Sequence, residues 1–183
     1  VGGAYDQGQG VPRDYKKAFD LLSKAMKQGH LGAQTNLGLM YYTGRGVPKD
    51  DKKAFELISK AAEQGHDYAQ TCLGWMYQNG QAGVSKNNAK TVEWYTKAAE
   101  QGQGLAQMYL GLIYLDGRIV PRDRPKGCDL LHASPNTPAD AKAAGLYEKF
   151  CVTQDSISTD DEAQMRDEID KIVKSAQVLG TVR

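Results

Sequence analysis

The sequence predicts an all-α fold, a right-handed solenoid of antiparallel helix pairs that ends in a C-terminal capping helix. A segment of the form Val/Leu-Gly-x-x-Tyr-x-x-Gly recurs with a period of about 36 residues, which is typical of solenoids. The four copies begin at Val1, Leu37, Leu73 and Leu110. Each copy is followed by Asp or Asn and, three residues later, by Lys: Asp14 and Lys17, Asp50 and Lys53, Asn87 and Lys90, Asp123 and Lys126.

The second repeat shows how one unit is built. Ala33, Leu37 and Tyr41 lie four residues apart and therefore share one face of a first helix, helix A. Gly44 is placed to end this helix in the left-handed conformation. Asp50 is placed to accept a backbone N–H bond at the start of helix B, which runs to about Gln64.

The same pattern places the other B helices at 15–28, 88–101 and 124–133. We therefore divide one solenoid domain, residues 1–183, into repeats at about 1–32, 33–68, 69–105 and 106–135. The third repeat carries an insertion at 80–84, and the fourth is degenerate, which fits a terminal position in the stack.

C-terminal capping helices are predicted at about 137–180. Thr137 and Pro138 read as one helix start, and Thr159 with Glu162 reads as the capping box of the last helix, 160–179. Two apolar stripes would face the solenoid: Ala143, Leu146, Tyr147 and Phe150, then Met165, Ile169, Ile172, Val173 and Ala176.

Composition argues against several functions. The net charge of +1 gives no electrostatic footprint for nucleic acid, and no apolar run is long enough for a membrane span. The pair Gly44 and Gly46 follows a helix and recurs as a turn, so we predict no phosphate site. His30 and His66 occupy one repeat position, which indicates a structural role rather than a metal site. With no catalytic motif in the chain, we expect no cofactor and no enzyme activity.

Three cysteines are too few for a disulfide-dense scaffold. Cys128 aligns with the apolar Phe55 position, and Cys151 ends the first capping stripe. We predict that these two are bonded if the protein is exported. The alternative is that they and Cys72 are small buried hydrophobic residues.

The combined pattern L-G-x-x-Y-x-x-G-x-G-V-x-x-D-x-x-K-A, followed by K-A-A-x-x-G, resembles the Sel-one-like repeat (SLR) family, relatives of the tetratricopeptide arrays. The resemblance covers residues 1 to about 133. It implies a superhelix whose A helices line a concave, protein-binding surface.

The resemblance also places certain helix A positions on the concave surface. These are the positions at which the repeat pattern does not account for the residue present. The candidate partner-binding residues are Thr35, Leu39, Tyr42, Tyr68, Thr71, Trp75, Gln78, Met108, Leu112 and Leu115. Of these, Tyr42, Tyr68, Trp75, Leu112 and Leu115 are expected to form an apolar cluster that faces solvent. Interface hot spots are enriched in such rings, so Trp75 is the expected centre. The alternative is that Trp75 packs between adjacent repeats.

The resulting expectation is a non-catalytic protein-interaction scaffold. The family that the chain resembles includes bacterial adaptors and immunity proteins. By that resemblance, the partner would be a toxic effector or a secretion or signalling component. We expect a periplasmic or exported protein, since the resemblance implies a family with many exported bacterial members. The chain begins inside a repeat at Val1, so a targeting segment could have preceded it. The alternative is an exported cell-wall-ligand binding protein, for β-lactams or peptidoglycan, or a hydrolase.

Overall fold

The computed structural model describes residues 14–134, 140–152 and 158–175. Within these ranges the chain forms nine α-helices, one of which continues into a π-helix, and no strand. The predicted all-α fold is confirmed. The expected helix start at Thr137 and Pro138, and the end of the last helix beyond Ser175, lie outside the described residues.

The helices alternate between the two types that the repeat predicts. The bounds are α1 Tyr15–Lys27, α2 Leu31–Thr43, α3 Asp51–Glu63, α4 Asp67–Asn79, α5 Asn88–Glu100, α6 Gly104–Asp116, α7 Arg124–Ala133, α8 Asp140–Tyr147 with the π-helix Glu148–Val152, and α9 Thr159–Ser175. Helix A of a repeat is α2, α4 or α6, and helix B is α1, α3, α5 or α7.

Every B helix begins at the acidic or amide residue that the repeat places there. In α3 the Asp50 carboxylate accepts the backbone N–H of Lys53 at 2.9 Å, as predicted, and the Asp50 N–H donates to the carbonyl of Tyr41 at 2.9 Å. The corresponding side-chain caps of α1, α5 and α7 measure 2.9, 3.0 and 3.1 Å. These paired bonds fix the turn between the two helices of a repeat.

The lysine of the same turn lies against the repeat's tyrosine. Lys53 Nζ lies 5.2 Å from the centre of the Tyr41 ring, Lys90 Nζ 4.8 Å from that of Tyr77, and Lys126 Nζ 4.3 Å from that of Tyr114. Both halves of each pair recur in the sequence, so the repeat preserves a cation–π contact between helix A and helix B.

The described residues form two compact units, 14–94 and 95–175, and the boundary falls inside α5. The N-terminal unit contains a core of small and aliphatic side chains: Ala18, Leu22, Ala33, Leu37 and Met40. Its A and B helices approach closely at Gly38, where a Cβ atom would lie 2.7 Å from Cγ1 of Ile58.

In the C-terminal unit, α8 and α9 pack against α6, the A helix of the fourth repeat, and α8 also packs against α7. The side chains of Leu146, Phe150, Met165, Ile169 and Ile172 are buried, as the apolar stripes predict. The start of α9 differs from the prediction by one residue: Ser158 and Asp161 form the reciprocal capping bonds. Glu162 is instead paired with Arg122.

A disulfide joins Cys128 of α7 to Cys151 of the π-helix, with the Cα atoms 5.7 Å apart. Arg124 adds a second link between these elements, because its guanidinium donates to the carbonyl of Phe150 at 2.7 Å. At the end of α6, Arg118 bridges the buried Asp116 and Asp170 of α9. These links fasten the C-terminal helices onto the degenerate repeat.

Candidate partner-binding surface

Six of the ten predicted binding residues are buried. Their side chains retain 2% or less of their accessible surface: Thr35, Leu39, Thr71, Met108, Leu112 and Leu115. The expectation that Leu112 and Leu115 face solvent is therefore wrong. In the fourth repeat, helix A is covered by the capping helices and by its own helix B.

The burial of Leu115 has a local cause. Leu115 occupies the repeat position of Tyr42 and Gln78, whose side chains are partly exposed. In the fourth repeat, however, helix B carries Gly127 where the second carries Ala54. A Cβ atom on Gly127 would lie only 2.8 Å from Cγ of Leu115. The leucine therefore occupies the space left by the missing methyl group.

Thr35 and Thr71 have a structural role in the A helices. Each hydroxyl donates to the backbone carbonyl four residues earlier, Thr35 to Leu31 at 2.9 Å and Thr71 to Asp67 at 3.1 Å. Thr35 Oγ1 also lies 3.0 Å from Nδ1 of His66, and its single proton can be donated to only one of these two acceptors. The bonds to the backbone carbonyls satisfy hydroxyl groups that are fully buried.

The four remaining residues, Tyr42, Tyr68, Trp75 and Gln78, are partly exposed and all belong to the N-terminal unit. We call Tyr42, Tyr68 and Trp75 the aromatic patch. The ring centres of Tyr42 and Trp75 lie 6.2 Å apart with an interplanar angle of 83°, an edge-to-face pair. Tyr68 and Trp75 are seven residues apart and lie on one side of α4.

Polar groups surround Tyr42. Lys49 Nζ lies 5.5 Å from the centre of its ring, and its hydroxyl donates to Oε1 of Gln81 at 3.3 Å. Burial raises the pKa of the Tyr42 hydroxyl, and the charge of Asp51 raises it further. The hydroxyl is therefore a neutral hydrogen-bonding group beside a cation, suited to polar recognition at the edge of an apolar surface.

A column of glutamines, buried at Gln34 and Gln70 and half-buried at Gln107, was not predicted from the sequence. Gln70 donates to the carbonyl of Ala62 at 3.1 Å and Gln107 to that of Ala99 at 3.3 Å, which ties helix A to the preceding helix B. The side-chain amide of Gln34 donates instead to the carbonyl of Leu57, at 2.9 Å. The signal was present, because an Ala-Gln pair begins at 33, 69 and 106.

The described side chains offer little reactive chemistry. Burial raises the pKa of the Cys72 thiol to about 12, so it is protonated and a poor nucleophile. Burial lowers the pKa of His66, whose Nδ1 accepts the N–H of Ala69. In the described ranges no three His, Cys, Asp or Glu side chains gather as metal ligands, and no helix is both long and apolar enough to cross a membrane.

The chain is similar to solved Sel1 repeat proteins. It shares 31% identity with a Sel1 repeat protein from Oxalobacter formigenes, at a TM-score of 0.72, and the match covers 93% of this chain and 69% of that one. It shares 26% identity with c5321, described as a protective antigen of uropathogenic Escherichia coli with an SLR fold, at a TM-score of 0.51. That match covers 93% of this chain but only 44% of c5321. No curated protein matches the chain significantly.

A family model described as the Sel1 repeat matches four successive segments, residues 1–30, 32–66, 67–103 and 104–134. These segments contain the Asp/Asn caps, the Lys–Tyr pairs and the glutamine column described above. The chain therefore belongs to the Sel1 repeat family, whose members generally mediate protein–protein interactions.

Proposed function

We propose that this chain is a non-catalytic binding module that recognises a partner protein through the aromatic patch of its N-terminal unit. The edge-to-face pair of Tyr42 and Trp75 carries this proposal. These rings come from successive A helices at positions that the repeat does not prescribe, and both remain partly exposed. Rigid aromatic side chains bury much apolar area at little entropic cost when a partner binds.

The surroundings of the pair suit a protein partner better than a small substrate. Lys49 and Gln81 place a charged group and an amide group beside Tyr42. An apolar centre with a polar rim is the usual anatomy of a protein interface. The buried candidates of the N-terminal unit, Thr35, Leu39 and Thr71, then serve the packing of the A helices that carry the patch.

The Cys128–Cys151 disulfide supports export to an oxidising compartment such as the bacterial periplasm, because disulfides persist mainly there. In that setting the partner would be a secreted effector that the chain neutralises, as an immunity protein does, or a secretion component that it positions as an adaptor. No described feature favours the alternative role in β-lactam or peptidoglycan binding.

Site-specific photo-crosslinking in the native cell tests the proposal. A benzophenone amino acid at Tyr68, beside Trp75, should crosslink to one defined protein. The same group at Lys52, an exposed position on α3, should not. The crosslinked protein must then bind the purified chain in solution. Equal crosslinking from both positions would move the binding surface away from the aromatic patch.

A further inference from the structure

A second surface of the N-terminal unit lies on the B helices, at a groove of about 510 Å³ between α1 and α3. Leu37 and Tyr41 of α2 line the groove, with Phe19 and Met26 from α1 and Leu57 from α3. The rings of Phe19 and Tyr41 meet edge to face at 5.8 Å. The groove is open to solvent on one side, and it includes no residue of the aromatic patch.

Charge around this groove is mainly positive. Among the residues that the structure describes, three lysines, Lys27, Lys53 and Lys60, line it together with one carboxylate, Glu56. Lys53 is already engaged, since its Nζ lies 3.7 Å from the Asp50 carboxylate and over the Tyr41 ring. Lys27 and Lys60 are exposed and lie on opposite walls, in α1 and α3.

The next repeat carries different side chains at three of these positions. Trp94 stands at the position of Leu57, Glu63 at that of Lys27, and Ala62 at that of Met26. The next repeat therefore combines an indole and an additional carboxylate with a smaller alanine. The groove between α1 and α3 lacks both the indole and the second carboxylate, and its described lining has three lysines against one carboxylate, Glu56.

We propose that this groove binds a short acidic peptide segment of a partner protein that carries one large aromatic side chain. The ring would pack against Phe19, Met26 and Leu57, and the carboxylates would pair with Lys27 and Lys60. Charge complementarity selects an acidic segment over a basic one. The open side favours a peptide over an alkyl chain, because a lipid tail would remain exposed to water along its length. This proposal is independent of the role of the aromatic patch.

A fluorescein-labelled peptide of sequence Asp-Glu-Trp-Glu-Asp, followed by fluorescence anisotropy, tests this inference on the whole chain. The peptide should bind, and Leu57→Trp should weaken binding by at least about tenfold, because the new indole occupies the apolar space. Lys27→Glu should weaken peptide binding by about fivefold or more, and the affinity should no longer depend on salt concentration. Lys27→Glu installs, at an exposed position, the residue that the chain carries one repeat later, so folding should be preserved.

Lys60→Glu, at an exposed position, is a second charge variant. It is used if Leu57→Trp or Lys27→Glu lowers the melting temperature of the protein. Trp75→Ala is the matched control on the other surface and should leave peptide affinity unchanged. Peptides with Ala in place of Trp, or with Lys in place of the acidic residues, should bind at least about tenfold more weakly. No binding of the parent peptide at about 1 mM, equal binding by the Leu57→Trp protein, or displacement of the peptide by dodecanoate would overturn the inference.

Discussion

Nδ1 of His66 accepts the backbone N–H of Ala69 at 3.2 Å and so caps α4. A ring nitrogen accepts a hydrogen bond only when it carries no proton, so the capped form is neutral with its proton on Nε2. Burial lowers the pKa of His66, although the charge of Asp67 partly opposes the shift. The fold therefore favours neutral His66.

The first prediction concerns pH. As pH falls through the ordinary histidine value of 6.5, the unfolded chain takes up a proton at His66 before the folded chain does, and stability should fall. His66→Gln should keep the cap and remove this part of the pH dependence, because Gln103 caps α6 in the same way, accepting from Ala106 at 3.0 Å. Urea unfolding at about pH 5 and pH 7.5 measures both effects.

The matched control for this prediction is His30→Gln. His30 stands at the same position before α2 but makes no side-chain capping bond. Its replacement should leave the stability difference between the two pH values in place. If the His66→Gln protein shows the same difference as wild type, the capping interpretation is wrong.

The second prediction concerns the close approach of helices at Gly38. A Cβ atom there would lie 2.7 Å from Cγ1 of Ile58 and 3.2 Å from the Ala54 carbonyl. Gly38→Ala should lower the free energy of unfolding by about 1–2 kcal/mol, since overpacking outweighs the gain in helix propensity. Thermal melting monitored by circular dichroism provides the measurement.

Gly145→Ala is the matched control, because a Cβ atom there would meet nothing within 4 Å. It should raise the free energy of unfolding by up to about 1 kcal/mol. If both variants lost stability equally, the effect would come from helix geometry in general rather than from the contact with Ile58.

How far the sequence predicts this molecule depends on whether a residue follows the repeat. Asp50, Lys53 and Tyr41 recur in register, and the structure gives Asp50 the predicted capping bond and places Lys53 over the Tyr41 ring. Leu115 could not be placed by periodicity, because its environment depends on a substitution in another helix, Gly127. Sequence spacing specifies a helix face but not what covers that face.

The third prediction concerns the disulfide. Cys128 and Cys151 are separated by 23 residues, and loop closure in the unfolded chain predicts a stabilisation of about 3 kcal/mol. Replacing both cysteines by serine should lower the urea midpoint. Reductant should do the same to wild type but leave the serine variant unchanged. An unchanged wild-type midpoint under reductant would show that the bond contributes little to folding.

Thiol titration tests the assignment of the three cysteines. Cys72 is buried and its thiol pKa lies at about 12, so the native protein should react negligibly with a thiol reagent. In denaturant without reductant, one thiol per chain should react. Three reactive thiols under that condition would contradict the pairing.

The last prediction separates the two possible roles of Trp75. As a binding anchor, Trp75→Ala should weaken affinity for the crosslinked partner by at least about 2 kcal/mol. Its cost in stability should then be small, because the ring is partly exposed and the edge-to-face contact with Tyr42 adds only about 1 kcal/mol to the effect of its partial burial. As a packing residue between repeats it would instead cost several kcal/mol of stability. Titration calorimetry and thermal melting on the same samples measure the two quantities.

Phe55→Ala is the matched control, because Phe55 forms an edge-to-face pair with Tyr77 at 6.1 Å that resembles the pair of Tyr42 and Trp75. Phe55 lies on α3, away from the aromatic patch, so its replacement should lower the melting temperature without changing affinity. Both variants lose one aromatic pair and the stability that it provides. Comparing them therefore separates the loss of binding contacts at Trp75 from any effect that lower stability has on affinity. If Trp75→Ala leaves affinity unchanged in a folded protein, the partner binds elsewhere, because a central aromatic anchor cannot be removed without loss of contact area.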